Sequence, residues 1–317
     1  MFREGYTKPG VVTTVNVLIS DGGLGDLLCA SVPLNHLLEK CFWLNPLIWV
    51  PDYLVEFYKN VLPSKAKVYS YTEGKKRYNE KLPGLSTQWD NKHSPMRTHP
   101  VDYGYHTLVD YTPTASERNY LKLKPVDITK FNLPNKYVCI GVGHTNKSKE
   151  FKPDVVNGIV TYALSQGYTP IFLGKKEAHS GFKTVGIKAE MPTDIDYSKG
   201  IDLTDQTSVI EAGSIIARSA CYIGMDGGLV HLAGFTDVPI VSAYTFINPN
   251  HIMPIRNDVL GYNVFPITPD ASLGCRFCQT NWKQMYEHSF FDCYYDDWEC
   301  VKQITLDKWV VELEKVL

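Results

Sequence analysis

The chain has 317 residues, 44% hydrophobic and 21% charged, which is ordinary globular material long enough for two domains, each able to bury a core. No stretch approaches 18 consecutive apolar residues, so a membrane span is excluded. The polar opening with a broken apolar run after it also argues against a secretory signal and sets the expected location as cytoplasmic. The net charge of −2 is uneven: residues 1–130 carry 16 Lys and Arg against 13 Asp and Glu, or +3, and the remainder 16 against 21, or −5.

In chain order, Val12 to Ser20 reads as a buried strand, followed by the glycine turn Ser20-Asp21-Gly22-Gly23-Leu24-Gly25-Asp26. A helix from Leu27 to Cys41, bent at Pro33, comes next, then a strand Leu47 to Val50, a helix Tyr53 to Val61 and a strand Lys67 to Tyr71. Residues 72–114 lose this rhythm and read as a long excursion with one or two short helices. Within it Lys75, Lys76, Arg77, Lys81, Lys92 and Arg97 form a loose positive region, either a solvated loop or a surface for phosphates.

A proline-marked linker from Lys124 to Pro134 leads into a second series. It comprises strand Tyr137 to Val142, helix Asp154 to Ser165, strand Thr169 to Leu173, helix Ser208 to Arg218, strand Cys221 to Gly224, a short helix through His231 to Phe235, and strand Pro239 to Tyr244. Two doubly wound α/β domains in series, with glycine turns at the carboxyl ends of strands, place a ligand in the cleft between them. The amphipathic segment Asp307 to Leu317 is expected to cross back to the first domain.

Three turns carry candidate chemistry. Gly22, Gly23 and Gly25 allow close backbone approach, and Asp26 in the following helical turn either stabilises the helix dipole or serves as a general base. The spacing departs from G-x-G-x-x-G, so a nicotinamide cofactor is disfavoured. In Gly224-Met225-Asp226-Gly227-Gly228-Leu229-Val230-His231, the amides of Gly227, Gly228 and Leu229 suit a diphosphate without a metal; His231 is either a contact to that anion or a satisfied core histidine. The third turn, Gly143 to Phe151, offers hydroxyls at Thr145 and Ser148 and ammonium groups at Lys147 and Lys149, suited to phosphate oxygens or to a plain surface.

Taken together these turns resemble the family 9 glycosyltransferases, which include the ADP-heptose lipopolysaccharide heptosyltransferases. Gly25-Asp26 matches the family's Gly-Asp after the first strand, and His144-Thr145, Lys149 and Phe151 loosely match its Thr-Thr, Lys, Trp-Pro segment. Asp226-Gly227-Gly228-Leu229-Val230-His231-Leu232 matches Asp-Thr-Gly-Leu-Ser-His-Leu. Gly227 stands for the family threonine, Val230 for its serine, and His144 and Asn146 for Thr and usually Arg. Roughly residues 72–132 are unmatched.

The resemblance implies the GT-B fold, two Rossmann-like domains facing a central cleft, with boundaries at 1–132, 133–302 and a C-terminal helix 303–317. It implies an inverting, metal-independent transfer from a nucleotide-diphosphate sugar. Asp26 would deprotonate the acceptor hydroxyl, and Thr145, Lys149, Asp226, Gly227, Gly228, Leu229 and His231 would bind the donor. Glu177, after Gly174, would meet the ribose.

The acceptor implied is a lipopolysaccharide or other surface glycan. A hydroxymethylated base in DNA is an alternative, as is a non-catalytic nucleotide-sugar-binding protein. Cys275, Cys278, Cys293 and Cys300, within the 275–300 segment, are compatible with a structural zinc or iron, with two disulfides, or with free thiols. The autotransporter heptosyltransferases, which carry a four-cysteine metal finger late in the chain, are the precedent for the metal.

Overall fold

A computed structural model of the protein describes residues 13–19, 23–41, 43–78, 85–86, 99–109, 111–175, 190–278, 293 and 295–317. The β-branched opening run forms β1 (Thr13–Leu18), followed by α1 (Leu24–Cys29), α2 (Ser31–Lys40), β2 (Leu44–Val50), α3 (Val55–Val61), β3 (Lys67–Ser70), α4 (Tyr71–Tyr78), β4 (Leu85–Ser86) and α5 (Pro100–Val109). The strands make a parallel sheet in the order β3-β2-β1-β4. The helix expected from Leu27 to Cys41 is two helices, broken at Ala30. In a continuous helix Pro33 would have to donate to the Cys29 carbonyl four residues back, and it has no N–H to give. In the first turn of α2 that missing donor costs nothing.

The second series is β5 (Tyr137–Gly141), α6 (Pro153–Ser165), β6 (Thr169–Leu173), β7 (Ile201–Asp202), α7 (Val209–Ile216), β8 (Tyr222–Met225), α8 (Gly228–Gly234), β9 (Ile240–Ala243), the hairpin β10 (Ile255–Arg256) and β11 (Val259–Leu260), β12 (Val264–Ile267), α9 (Glu299–Lys302) and α10 (Leu306–Leu313). Six of these strands form a parallel sheet in the order β12-β9-β8-β5-β6-β7. Every residue of β8 and β9 is buried, so neither segment shows the polar–apolar alternation of a half-exposed strand. The start of α7 is a capping box, with Ser208 and Glu211 each satisfying the other's amide.

One buried cluster draws on both sheets, joining Leu28, Phe57 and Tyr105 to Ile215, Leu232 and Phe235. The segment after α5 sews the halves together: the Tyr120 amide donates to Ile255 O at 2.8 Å and the Leu123 amide to Phe235 O at 2.9 Å. A second cluster covers the other face of the larger sheet. The C-terminal helix α10 belongs to this second cluster, with Trp309 stacked on Phe151 at 4.8 Å. Its buried face therefore packs on the six-stranded side, where a return to the first half was expected. Among the described residues no helix is long and apolar enough to cross a membrane.

Candidate active site

In the four-stranded sheet the chain runs β1 to β2 to β3 on one side and then places β4 on the other, so its order reverses at the end of β1. The six-stranded sheet reverses between β5 and β8 in the same way. Crevices at the carboxyl ends of parallel strands, where order reverses, are where this architecture binds ligands. Asp26 follows β1, Lys149 follows β5 and Asp226 follows β8.

Asp26 is half-buried in the first turn of α1, where its Oδ2 accepts the Gly23 amide at 2.9 Å. That bond caps the start of α1, alongside the dipole-stabilising role expected of an acid in the first turn. Its surroundings go further: burial raises its pKa to about 6, opposed by the Gly23 bond and the Lys149 ammonium and assisted by the Asp226 carboxylate. Charges from the second half of the chain thus act directly on a carboxylate from the first. Such a group is ionised at neutral pH, yet basic enough to accept a proton.

Across the crevice Lys149 Nζ lies 2.8 Å from Asp226 Oδ2. The Asp226 side chain is only 3% exposed, and its oxygens receive no well-directed hydrogen bond among the described residues, so Lys149 is what balances its charge. The same ammonium lies over the Phe246 ring, 5.3 Å from its centroid. The loop bearing Lys149 is shaped by Gly143, whose φ of +90° turns the chain out of β5. It is fixed by buried Asn146, which accepts from the Ser148 amide and hydroxyl at 2.9 Å each, and by Thr245, whose hydroxyl donates to Ser148 O.

The two glycine turns meet through their glycines. A Cβ on Gly25 would fall 2.4 Å from His231 Cδ2, and one on Gly228 would fall 2.6 Å from Leu24 Cβ, so α1 and α8 approach as closely as missing side chains allow. His231 is buried; its Nδ1 is 2.7 Å from the Tyr120 hydroxyl and 3.5 Å from Cys29 Sγ. Burial lowers its pKa to about 4, so it is neutral. Gly227 leads into α8 with an extended backbone, and the space where its side chain would be is open to 3.8 Å.

Of the residues singled out in the sequence, Gly23, Gly25, Asp26, Lys149, Asp226, Gly227, Gly228 and His231 converge here. Leu229 is half-buried against the core shared by both halves, and Thr145 is exposed on the loop. Gly22 and Glu177 lie outside the described residues. Sequence reasoning missed Cys29, Tyr120, Thr245 and Phe246, and gave Asn146 no role beyond its departure from the family pattern. Only Asn146, two residues before a serine, carries a local signal, that of a side-chain-capped turn.

The four clustered cysteines lie within electrostatic reach of one another. Cys300 is pushed up to about 12, first by burial and then by Cys278, Cys275 and Cys293. Cys275, Cys293 and Cys300 are unpaired thiols, so two disulfides are not formed. Among the described residues no three His, Cys, Asp or Glu side chains converge closely enough to hold an ion.

The profile of glycosyltransferase family 9 (heptosyltransferase) matches residues 94–277, more than half of the chain. No curated protein matches it by sequence. Among solved structures, the iron-containing dodecameric glycosyltransferase TibC from enterotoxigenic E. coli superposes with a TM-score of 0.67 at 17% identity, covering 99% of this chain and 81% of that one. The family 9 glycosyltransferase from Veillonella parvula gives 0.64 at 14% identity, covering 96% and 97%. E. coli ADP-heptose lipopolysaccharide heptosyltransferase II gives 0.60 at 13%, covering 95% and 98%. At these identities the structural likeness is one of fold, and that fold is GT-B.

Proposed function

The chain belongs to glycosyltransferase family 9, the heptosyltransferase family, and on that premise we propose that it moves a sugar from a nucleotide-diphosphate sugar to an acceptor hydroxyl with inversion at the anomeric carbon. The observation that carries this reading is the Asp26 carboxylate opposite the Lys149–Asp226 pair, with its pKa raised to about 6. Asp26 takes the acceptor proton as the hydroxyl attacks. Lys149 and the amides at the start of α8 receive the departing diphosphate, so that preorganised protein charge does the work otherwise given to a metal ion.

ADP-heptose is the first donor to test, since TibC has been solved with ADP-D-β-D-heptose. A surface glycan is the proposed acceptor, as for the lipopolysaccharide heptosyltransferase among the structural matches. Catalysis is assigned to the cytoplasm, where nucleotide sugars are made. Of the basic residues that would favour DNA, Lys75, Lys76 and Arg77 fall on α4 and Lys81, Lys92 and Arg97 lie outside the described residues, and no observation supports that acceptor.

The four cysteines are read as a structural metal site beside the catalytic crevice, supported by the soft-donor chemistry of four neighbouring thiols and paralleled by the iron of TibC. Holding an ion would require the thiols to draw together, and no catalytic step passes through them. Metal content of the purified protein, compared with that of Cys275→Ser, tests it.

The deciding experiment is turnover of ADP-, UDP- and GDP-sugars by the native protein and Asp26→Asn. Loss of about 10²-fold or more in turnover, with nucleotide-dependent thermal stabilisation retained, is expected. Equal turnover by the variant would remove Asp26 as the base; binding with no turnover in either would leave only a nucleotide-sugar-binding protein.

A further inference from the structure

Beneath the glycine turns lies a buried triangle of polar side chains from three separate parts of the chain. Cys29 comes from the end of α1, Tyr120 from the segment that joins the halves, and His231 from α8. Cys29 Sγ is 2.9 Å from the Tyr120 hydroxyl, and that hydroxyl is 2.7 Å from His231 Nδ1. The Tyr120 ring lies nearly parallel to the imidazole, 6.1 Å away at 21°, and is wedged against Phe235 at 4.9 Å and His99 at 6.2 Å.

The third side of the triangle, Cys29 Sγ to His231 Nδ1 at 3.5 Å, is the longest, and two arrangements of protons run through the phenol. In one, the thiol donates to the phenol oxygen and the phenol donates to Nδ1. In the other, Nδ1–H donates to the phenol, which then spends its proton on sulfur. The first gives the strong donor, the phenol hydroxyl, to the strong acceptor, the imidazole nitrogen, and 2.7 Å is an ordinary separation for that bond. Burial pushes the Cys29 thiol up, so it carries its proton in either arrangement.

We infer that Tyr120 is a positioning residue: its hydroxyl donates to His231 Nδ1, so the neutral imidazole carries its proton on Nε2 and presents that N–H at the Gly25 turn beside Asp26. A Cβ on Gly25 would lie 3.0 Å from Nε2 and 2.4 Å from Cδ2, so the far edge of the ring abuts the turn that starts α1. Asp226 and Lys149 both act on the ring electrostatically, in opposite senses, so the imidazole lies within the field of the charged pair. Resting on the transferase reading, the Nε2–H is a neutral hydrogen-bond donor to an oxygen of the nucleotide-sugar diphosphate. It adds no charge to a crevice whose charges already tune Asp26. The triangle also spans both halves, so the donor is in place only while α1 and α8 are closed on each other.

The test is nitrogen NMR of the imidazoles in the full-length protein without any nucleotide, with His231 identified by loss of its signal in His231→Gln. The native protein should show the Nε2–H tautomer. Tyr120→Phe keeps the ring contacts and loses only the hydroxyl; it should show a mixture of tautomers, unfold as cooperatively as the native protein, and bind ADP about tenfold more weakly. A native Nδ1–H tautomer, or a tautomer ratio unchanged in Tyr120→Phe, overturns the inference. Should Tyr120→Phe not fold, the native spectrum decides, together with Cys29→Ser, whose hydroxyl can still donate and should preserve Nε2–H. None of these spectra needs a sugar donor. Absent transfer activity would therefore sink the transferase reading alone, and a wrong tautomer would sink this one alone.

Discussion

Asp26 combines two roles that compete for the same carboxylate. Its bond from the Gly23 amide stabilises the anion, while burial and the Asp226 charge oppose it, and the balance leaves the pKa at about 6. Activity should therefore rise through pH 6 to a plateau. The limb should move in opposite directions in two variants: upward in Lys149→Ala, which removes a charge that favours the anion, and downward in Asp226→Asn, which removes one that opposes it. A limb indifferent to both would mean that another group titrates. Linkage adds a stability effect. A carboxylate whose folded pKa is raised costs stability once ionised, so the cost is present above about pH 6 and disappears as pH falls toward 4. Asp26→Asn should raise Tm by a few degrees at pH 8 and leave it unchanged near pH 4, measured by calorimetry.

At the scale of elements, the contact between α1 and α8 sets the distance from base to charged pair. Gly25→Ala places a methyl 2.4 Å from a histidine that Tyr120 holds from behind, so the helices must separate. Overpacking of this kind costs about 1–3 kcal/mol. A shift of even half an ångström at Asp26 should lower turnover at saturating donor by tenfold or more. Gly227→Ala, with open space and an extended backbone, should leave thermal stability unchanged and serves as the stability control. The C-terminal helix makes a separate prediction. Trp309 is fully buried against Phe151, so Trp309→Ala should cost about 4 kcal/mol in denaturant unfolding.

These elements also show what was legible beforehand. The turns at Asp26, Lys149 and Asp226 could be read because each follows an apolar run and carries glycines or charges in adjacent positions. Cys29, Tyr120 and His231 could not be read as a unit, since partners 91 and 111 residues apart leave no local pattern. The amphipathic period of α10 showed that one face is buried but not against which sheet. The two-residue strands β4, β7, β10 and β11 are too short for any period to register, and Pro266 hides β12.

Across the whole molecule the halves share one core, and its seam holds two neutral histidines flanking Tyr120. Burial lowers His231 to about 4 and His99 to about 3, and the His99 ring is fixed by Met253 O at 3.0 Å and the Val101 amide at 3.2 Å. A histidine whose folded pKa is depressed contributes stability that is present above its unfolded value of about 6.5 and is lost as pH falls. At pH 5 both would be protonated in the unfolded chain and neutral in the folded one, a loss of about 2 kcal/mol each. Asp26 works against this, because its protonation between pH 6 and 5 returns about 1 kcal/mol. The histidines outweigh it, so the native protein should lose about 3 kcal/mol between pH 7 and pH 5 in urea titrations. His99→Gln keeps an amide donor for Met253 O and removes one titrating group, and should lose only about 1 kcal/mol over the same interval. Stability that does not change from pH 7 to pH 5 would mean that the seam opens readily enough to charge its histidines. The closed crevice that aligns Asp26 with Lys149 and Asp226 would then be only one of the protein's resting arrangements.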